Sequence, residues 1–132
     1  MQQTNILEKL VLTYFEGVDT KNINIILSTL SSDCNFTVET HNVQLKGHLK
    51  IRGMFDQLWS NHKIVCHDQF KFVEDRMAGR IAVQFRVTNT SKENTVVFKS
   101  NCNFFTVHEN LFTNVNVYMA GQNTLHAPRD VD

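Results

Sequence analysis

The sequence predicts an α+β fold, three N-terminal helices covering one face of a curved antiparallel sheet. Apolar residues recur at helical spacing only in the first half of the chain. From Ile64 onward they alternate with polar residues in long runs separated by short polar turns. Period 3.6 followed by period 2 is the mark of helices laid on an antiparallel meander. With 132 residues and no repeat or linker, this is one domain, predicted over residues 1–125, with a polar tail at 126–132 that contains the sole proline, Pro128.

Each element has its own signal. Leu7, Leu10, Val11, Tyr14, Phe15 and Val18 form the apolar stripe of a first helix, and Asn5 with Glu8 three residues later is a capping box. Ile23, Ile26, Leu27 and Leu30 suggest a second helix, opened by Asn22 and closed by Ser31, Ser32 and Asp33. Phe36, Val38 and Thr40 alternate with Thr37 and Glu39 as a short strand ending at His41 and Asn42. Gly47 introduces a third helix with Ile51, Met54, Phe55, Leu58 and Trp59 on one side. Strands follow at Ile64 to Val73, Gly79 to Thr90, Thr95 to Val107 and Leu111 to Met119.

Composition narrows the partners. Hydrophobic residues make up 42% of the chain and charged ones 20%, with 13 Lys and Arg against 13 Asp and Glu. A balanced charge gives no field to draw in nucleic acid or anionic lipid, and the N-terminal residues read as neither leader nor span. The expectation is a cytoplasmic protein without nucleic-acid or membrane partners. Cys34, Cys66 and Cys102 are widely spaced and read as free thiols. His62, Cys66 and His67 do not make a metal site, because neighbouring strand residues point to opposite faces. No metal and no cofactor are expected.

The order of elements resembles the cone-shaped fold shared by SnoaL-like polyketide cyclases, ketosteroid isomerases and nuclear transport factor 2. Local residues are similar too: Tyr14 and Phe15 in the first helix, Val18 to Ile23 at the turn into the second, Asp33 with Phe36 at the strand entry, and Gly47 before Ile51 and Phe55. The resemblance covers Ile6 to Met119. It implies a largely apolar cavity between the helices and the concave sheet face. By helix period and strand alternation, Phe36, Val38, Phe55, Trp59, Phe85, Val115, Val117 and Met119 turn inward as its walls or as plain core.

Polar candidates are few. Tyr14 falls where the resemblance places the isomerases' oxyanion donor, and a neutral phenol suits that role; otherwise it is a core tyrosine bonded to a carbonyl. Asn103 corresponds to the second donor. The general base of those isomerases corresponds to Val38, which carries no proton. Asp68 interrupts the phase Ile64, Cys66, Phe70, Phe72, so it is a substitute base if that phase faces inward, and a solvated carboxylate if the pleat is irregular. Asn101 shares a phase with Asn103, and two buried amides imply a wet cavity or an exposed phase. The opposite phase, Val96 to Phe104, is also apolar, which suggests a homodimer through the outer sheet face.

Three functional readings follow. One is an enzyme of isomerase, cyclase or dehydratase type acting through Tyr14, Asn103 and Asp68 or a histidine. The second is non-catalytic binding of a small apolar molecule in the same pocket. The third is a dimeric interaction module of the same fold.

Overall fold

The computed structural model describes residues 5–128, so the first residues of the predicted domain and the end of the predicted tail lie outside it. Helix α1 spans Ile6–Asp19 and starts as its residues dictate: the Asn5 side chain accepts from the Glu8 amide at 3.0 Å and donates to the Glu8 carboxylate at 2.6 Å. A further bond from Asn5 to Glu74 at 2.7 Å ties this helix start to the far end of a strand. Val11, Tyr14, Phe15 and Val18 are buried, as the stripe requires.

Helix α2, Ile23–Ser28, is capped by the Asn22 side chain, which accepts from the amides of Asn24 and Ile25. It stops before Leu30, earlier than its sequence suggests. Strand β1 is Leu30–Val38 and takes up Ser31, Ser32 and Asp33, the residues expected to close the helix. Sheet pairing outweighs the local turn signal here, because Leu30 already faces Phe112 in the register with the last strand. Beyond a single 3₁₀ turn, strand β2, Val43–Lys46, folds back on β1; its four residues are too few for their alternation to stand out in the sequence. Gly47, at φ 89°, leads into α3, His48–Asn61, with Ile51, Met54, Phe55 and Leu58 buried.

Four long strands complete the sheet: β3 His62–Asp75, β4 Arg80–Ser91, β5 Val96–His108 and β6 Leu111–Tyr118. Their order is β2-β1-β6-β5-β4-β3, antiparallel throughout except for the β1–β6 pair, which is parallel. The helices cover one face. In register, Phe36, Val115, Phe105 and Ile81 form one inward row, and Val38, Val117, Asn103 and Val83 the next. The first row is wholly apolar and fully buried, so it closes the core; the second carries one amide.

The helix layer is set by a close approach at Gly17. A Cβ there would lie 2.7 Å from Ile26 Cγ1 and 2.9 Å from the Ile26 backbone nitrogen. Alanine is the better helix former by about 0.5–1 kcal/mol, but a backbone atom cannot rotate away as a side chain does. Overpacking of this kind costs about 1–3 kcal/mol. Gly17→Ala is therefore expected to lower unfolding free energy by about 1–2 kcal/mol in urea titrations; a neutral or stabilising result would mean that the α1–α2 contact opens freely.

Candidate functional site

The second inward row opens into a cavity between α1, α3 and β3 to β6. Its walls are apolar on the helix side, with Tyr14, Phe15, Val18, Phe55 and Leu58, and mixed on the sheet side, with His67, Phe85, Asn89, Asn101, Asn103 and Val117. Thr124 and Leu125, from the segment that follows β6, close it over. The space left there is about 30 Å³, room for one or two waters. A wider recess of about 380 Å³ lies next to it and shares Asn89 and Thr124.

Tyr14 is held by its ring. Phe15, Phe55, Phe105 and Phe112 meet it edge-on with centroids 5.0, 6.2, 5.5 and 6.3 Å away. Among the described residues nothing hydrogen-bonds to its hydroxyl, although the residue is only 2% exposed. Burial, with a lesser contribution from Cys34, pushes the phenol pKa well above its ordinary value, so Tyr14 stays neutral and keeps its proton to donate. The same burial pushes the Cys34 thiol up to about 12.

The amides fit a wet site. Asn103 and Asn89 each have a fully buried side-chain oxygen with no hydrogen-bond partner, an arrangement that costs about 1–3 kcal/mol per group unless something fills it. Asn101 is different: its oxygen accepts from the Ala120 amide at 3.0 Å and so fixes the start of the closing segment.

The acid–base group of the cavity is His67 with Asp19. The Asp19 carboxylate accepts twice from His67, from the backbone amide at 2.8 Å and from Nδ1 at 2.5 Å. The imidazole lies 4.7 Å from the Phe15 ring and 5.4 Å from Phe85. Asp19 is the last residue of α1, where the helix dipole disfavours a carboxylate; the two donors from His67 offset that. With Nδ1 as the donor to Asp19, the neutral ring presents Nε2 as its free acceptor.

Asp68 is not part of this site. It is exposed, as is Cys66, while Val65 and His67 point inward. The reason is a bulge: register shifts between Asp68 and Lys71, with Gln69 at φ 56°, so inward residues are odd-numbered before it and are Phe70 and Phe72 after it. The apolar phase read from the sequence crosses that bulge and mixes two faces. The wall assignments divide similarly. Phe55, Phe85, Val117 and Met119 line the cavity with Tyr14, Asn101 and Asn103. Phe36, Val38 and Val115 are wholly buried core instead, and Trp59 turns aside to donate to the Val18 carbonyl at 3.0 Å. Among the described residues no group of three His, Cys, Asp or Glu side chains could hold a metal, and no helix is long and apolar enough to cross a membrane.

No protein-family model matches the chain, nor does any curated protein. Solved structures do. An NTF2-like protein of unknown function from Burkholderia pseudomallei superposes with TM-score 0.78 at 11% identity, over 89% of this chain and 92% of that one. A candidate polyketide cyclase from Xanthomonas campestris pv. campestris gives 0.77 at 15% identity, over 86% and 89%. TerC, co-crystallised with polyporic acid, gives 0.77 at 16% identity, over 88% and 92%. The architecture is thus the NTF2-like, ketosteroid isomerase-like fold, as the sequence resemblance implied.

Two protons held by deep burial contribute to the alkaline behaviour. Cys34 and Tyr14 keep theirs in the fold to higher pH than in the unfolded chain, where the ordinary values are 9.0 and 10.0. Their stabilisation is complete below those values and is lost as pH rises beyond them, by about 1.4 kcal/mol per pH unit per group. Tyr14→Phe is expected to change stability at neutral pH by less than about 0.5 kcal/mol, because no bond is lost. It should also make the decline above about pH 10 shallower by one proton. Urea unfolding of both proteins across that range is the check; a large loss at neutral pH would reveal a structural partner for the hydroxyl.

Proposed function

We propose that this chain is a proton-transfer enzyme of isomerase, cyclase or dehydratase type, acting on a small, mostly apolar molecule with an enolisable carbonyl. The observation that carries the proposal is that His67, fixed by Asp19, lines the same cavity as Tyr14 and Asn103. His67 Nε2 removes a proton next to the carbonyl, and Asp19 stabilises the imidazolium that forms. Tyr14, and the Asn103 amide through its NH₂, donate to the oxygen as it gains negative charge. The proton then returns from His67 to another atom of the substrate or to a leaving hydroxyl. Asp68, on the other face, has no part in this scheme.

The substrate enters from the wider recess, and the Thr124 to Leu125 stretch moves out to admit it. The names of similar structures agree with a small-molecule site: one is called a candidate polyketide cyclase and another was co-crystallised with polyporic acid. Deuterium exchange at the activated CH₂ of 2-tetralone, followed by proton NMR in D₂O, tests the reading. The protein is expected to speed exchange above the buffer rate. His67→Gln should remove about a hundredfold or more of that acceleration, and Tyr14→Phe a smaller part. Binding of 2-tetralone without faster exchange would instead favour the non-catalytic pocket.

The outer sheet face carries a second proposal, a homodimer. Ile64, Val73, Val96, Phe98, Phe104 and Tyr118 are all exposed there, Phe98 at 71%. Two exposed cross-strand pairs, Asp68 with Arg86 and Asp75 with Arg80, give the face charges of both signs, so a second copy turned through a twofold axis meets complementary charges. Sedimentation equilibrium should give twice the 15.3 kDa chain mass. Phe98→Asp with Phe104→Asp should return the monomer with the fold intact; a monomeric wild type would overturn this reading.

A further inference from the structure

The inward row of β5 changes character along its length. Phe105 is fully buried, Asn103 and Asn101 follow, then Lys99 at 7% exposure, and Val97 at the rim. Lys99 is thus a cation on the concave face, at the boundary between the deep cavity and the recess, which it lines with Ser91, Thr95 and Thr124. Its ammonium donates to the Gln122 carbonyl, with Met119 Sδ at 3.9 Å. The turn at Gly121 lies along its stem, Cε being 3.7 Å from where a Cβ would stand.

Among the described residues that ammonium has no counter-charge. The ion pairs among the described residues join His67 to Asp19, Arg76 to Glu74 and His108 to Glu109, and none reaches Lys99. Withdrawal from water lowers its pKa from the ordinary lysine value. Holding the closing segment through one carbonyl needs only a neutral donor, and a buried charge is unfavourable without a partner. Among the described residues the positive charge therefore meets no anionic partner.

We infer that Lys99 binds the carboxylate of the molecule that the cavity takes, which makes that molecule an amphipathic acid with its apolar body lodged toward Asn103. The inference rests on the proposed small-molecule reading of the cavity and specifies its ligand class. Lys99 and Asn103 are four residues apart on one strand, about 13 Å. That spacing suits a two-ring aromatic acid with a hydrogen bond at each end. On binding, the carboxylate replaces the Gln122 carbonyl at the ammonium, a charge-assisted bond in place of a neutral one. Release of Gln122 also frees the segment that covers the deep cavity.

The test compares 6-hydroxy-2-naphthoate with its neutral isostere 6-hydroxy-2-naphthamide, whose far hydroxyl reaches Asn103, by calorimetric titration and by amide shifts in nitrogen-15 NMR. Wild type should bind the acid about tenfold more tightly or better. Lys99→Met should abolish that preference and leave binding of the amide unchanged. Lys99→Gln keeps a donor to the Gln122 carbonyl and is expected to lose the preference while retaining the wild-type melting temperature. Asn103→Leu should weaken both ligands. Equal binding of acid and amide by wild type, or equal weakening of both by Lys99→Met, would overturn the inference while the cavity reading stands. Failure of both to bind would overturn it too, and 2-tetralone exchange then reports on the cavity independently.

Discussion

The site depends on one irregularity in strand β3. Side chains of a strand alternate between faces, so a strand feeding a buried site can offer it only every second residue. The bulge at Gln69 breaks that rule once. Before it the inward residues are Val65 and His67; after it they are Phe70 and Phe72. Without it, His67 and the two phenylalanines could not all face the helices. The strand would give up either the aromatic packing around Phe15 and Phe85 or the only imidazole in the cavity.

Rigidity around Tyr14 and vacancy beside it have a common source. Four aromatic rings meet the tyrosine edge-on, which fixes the ring without touching the hydroxyl. On the facing sheet, the row of Asn103 replaces an apolar side chain by an amide whose oxygen finds no partner. A chain selected for stability alone would place valine there, as it does at Val83 and Val117 on either side. The fold therefore bears an electrostatic cost where a bound hydrogen-bond donor would relieve it.

Much of the architecture was legible because it rests on patterns that tertiary contacts reinforce. The caps at Asn5 and Asn22, the stripe of α1 and the hairpin spacing after Ile64 all survive folding. Leu30 to Asp33 did not, since Ser31, Ser32 and Asp33 look like a helix stop until Leu30 pairs with Phe112 and Asn35 with Asn114 of β6, which holds the stretch between them extended. At the site, the inward face of Tyr14 and of Asn101 could be read from helix and strand phase, and Asn103 from the family resemblance. His67 and Asp19 could not. Asp19 looks like an ordinary helix end, and His67 like the outward neighbour of Cys66, unless Gln69 is known to be in a left-handed conformation. The single signal in the sequence is the clash itself: Val65 and Phe70, both apolar, have opposite parity, and one pleat cannot bury both.

The inward row of β5 also accounts for the small volume of the enclosed cavity. Polarity rises from Phe105 to Lys99, so water competes more strongly for each step toward the mouth. A chain segment must therefore exclude it there, and residues 119–125 do so by hydrogen bonds rather than by apolar mass: Ala120 to Asn101, Gln122 to Lys99, and Asn123 to Leu125. Met119 and Leu125 are the apolar side chains that this segment inserts. Such a cover can be exchanged for a ligand that supplies the same bonds, whereas a cover sealed by several buried aromatic rings could not. On the proposed reading, the closed cavity and an accessible site are two states of one set of donors and acceptors, and the proposed acid selects between them by how well it replaces the chain's own carbonyl at Lys99.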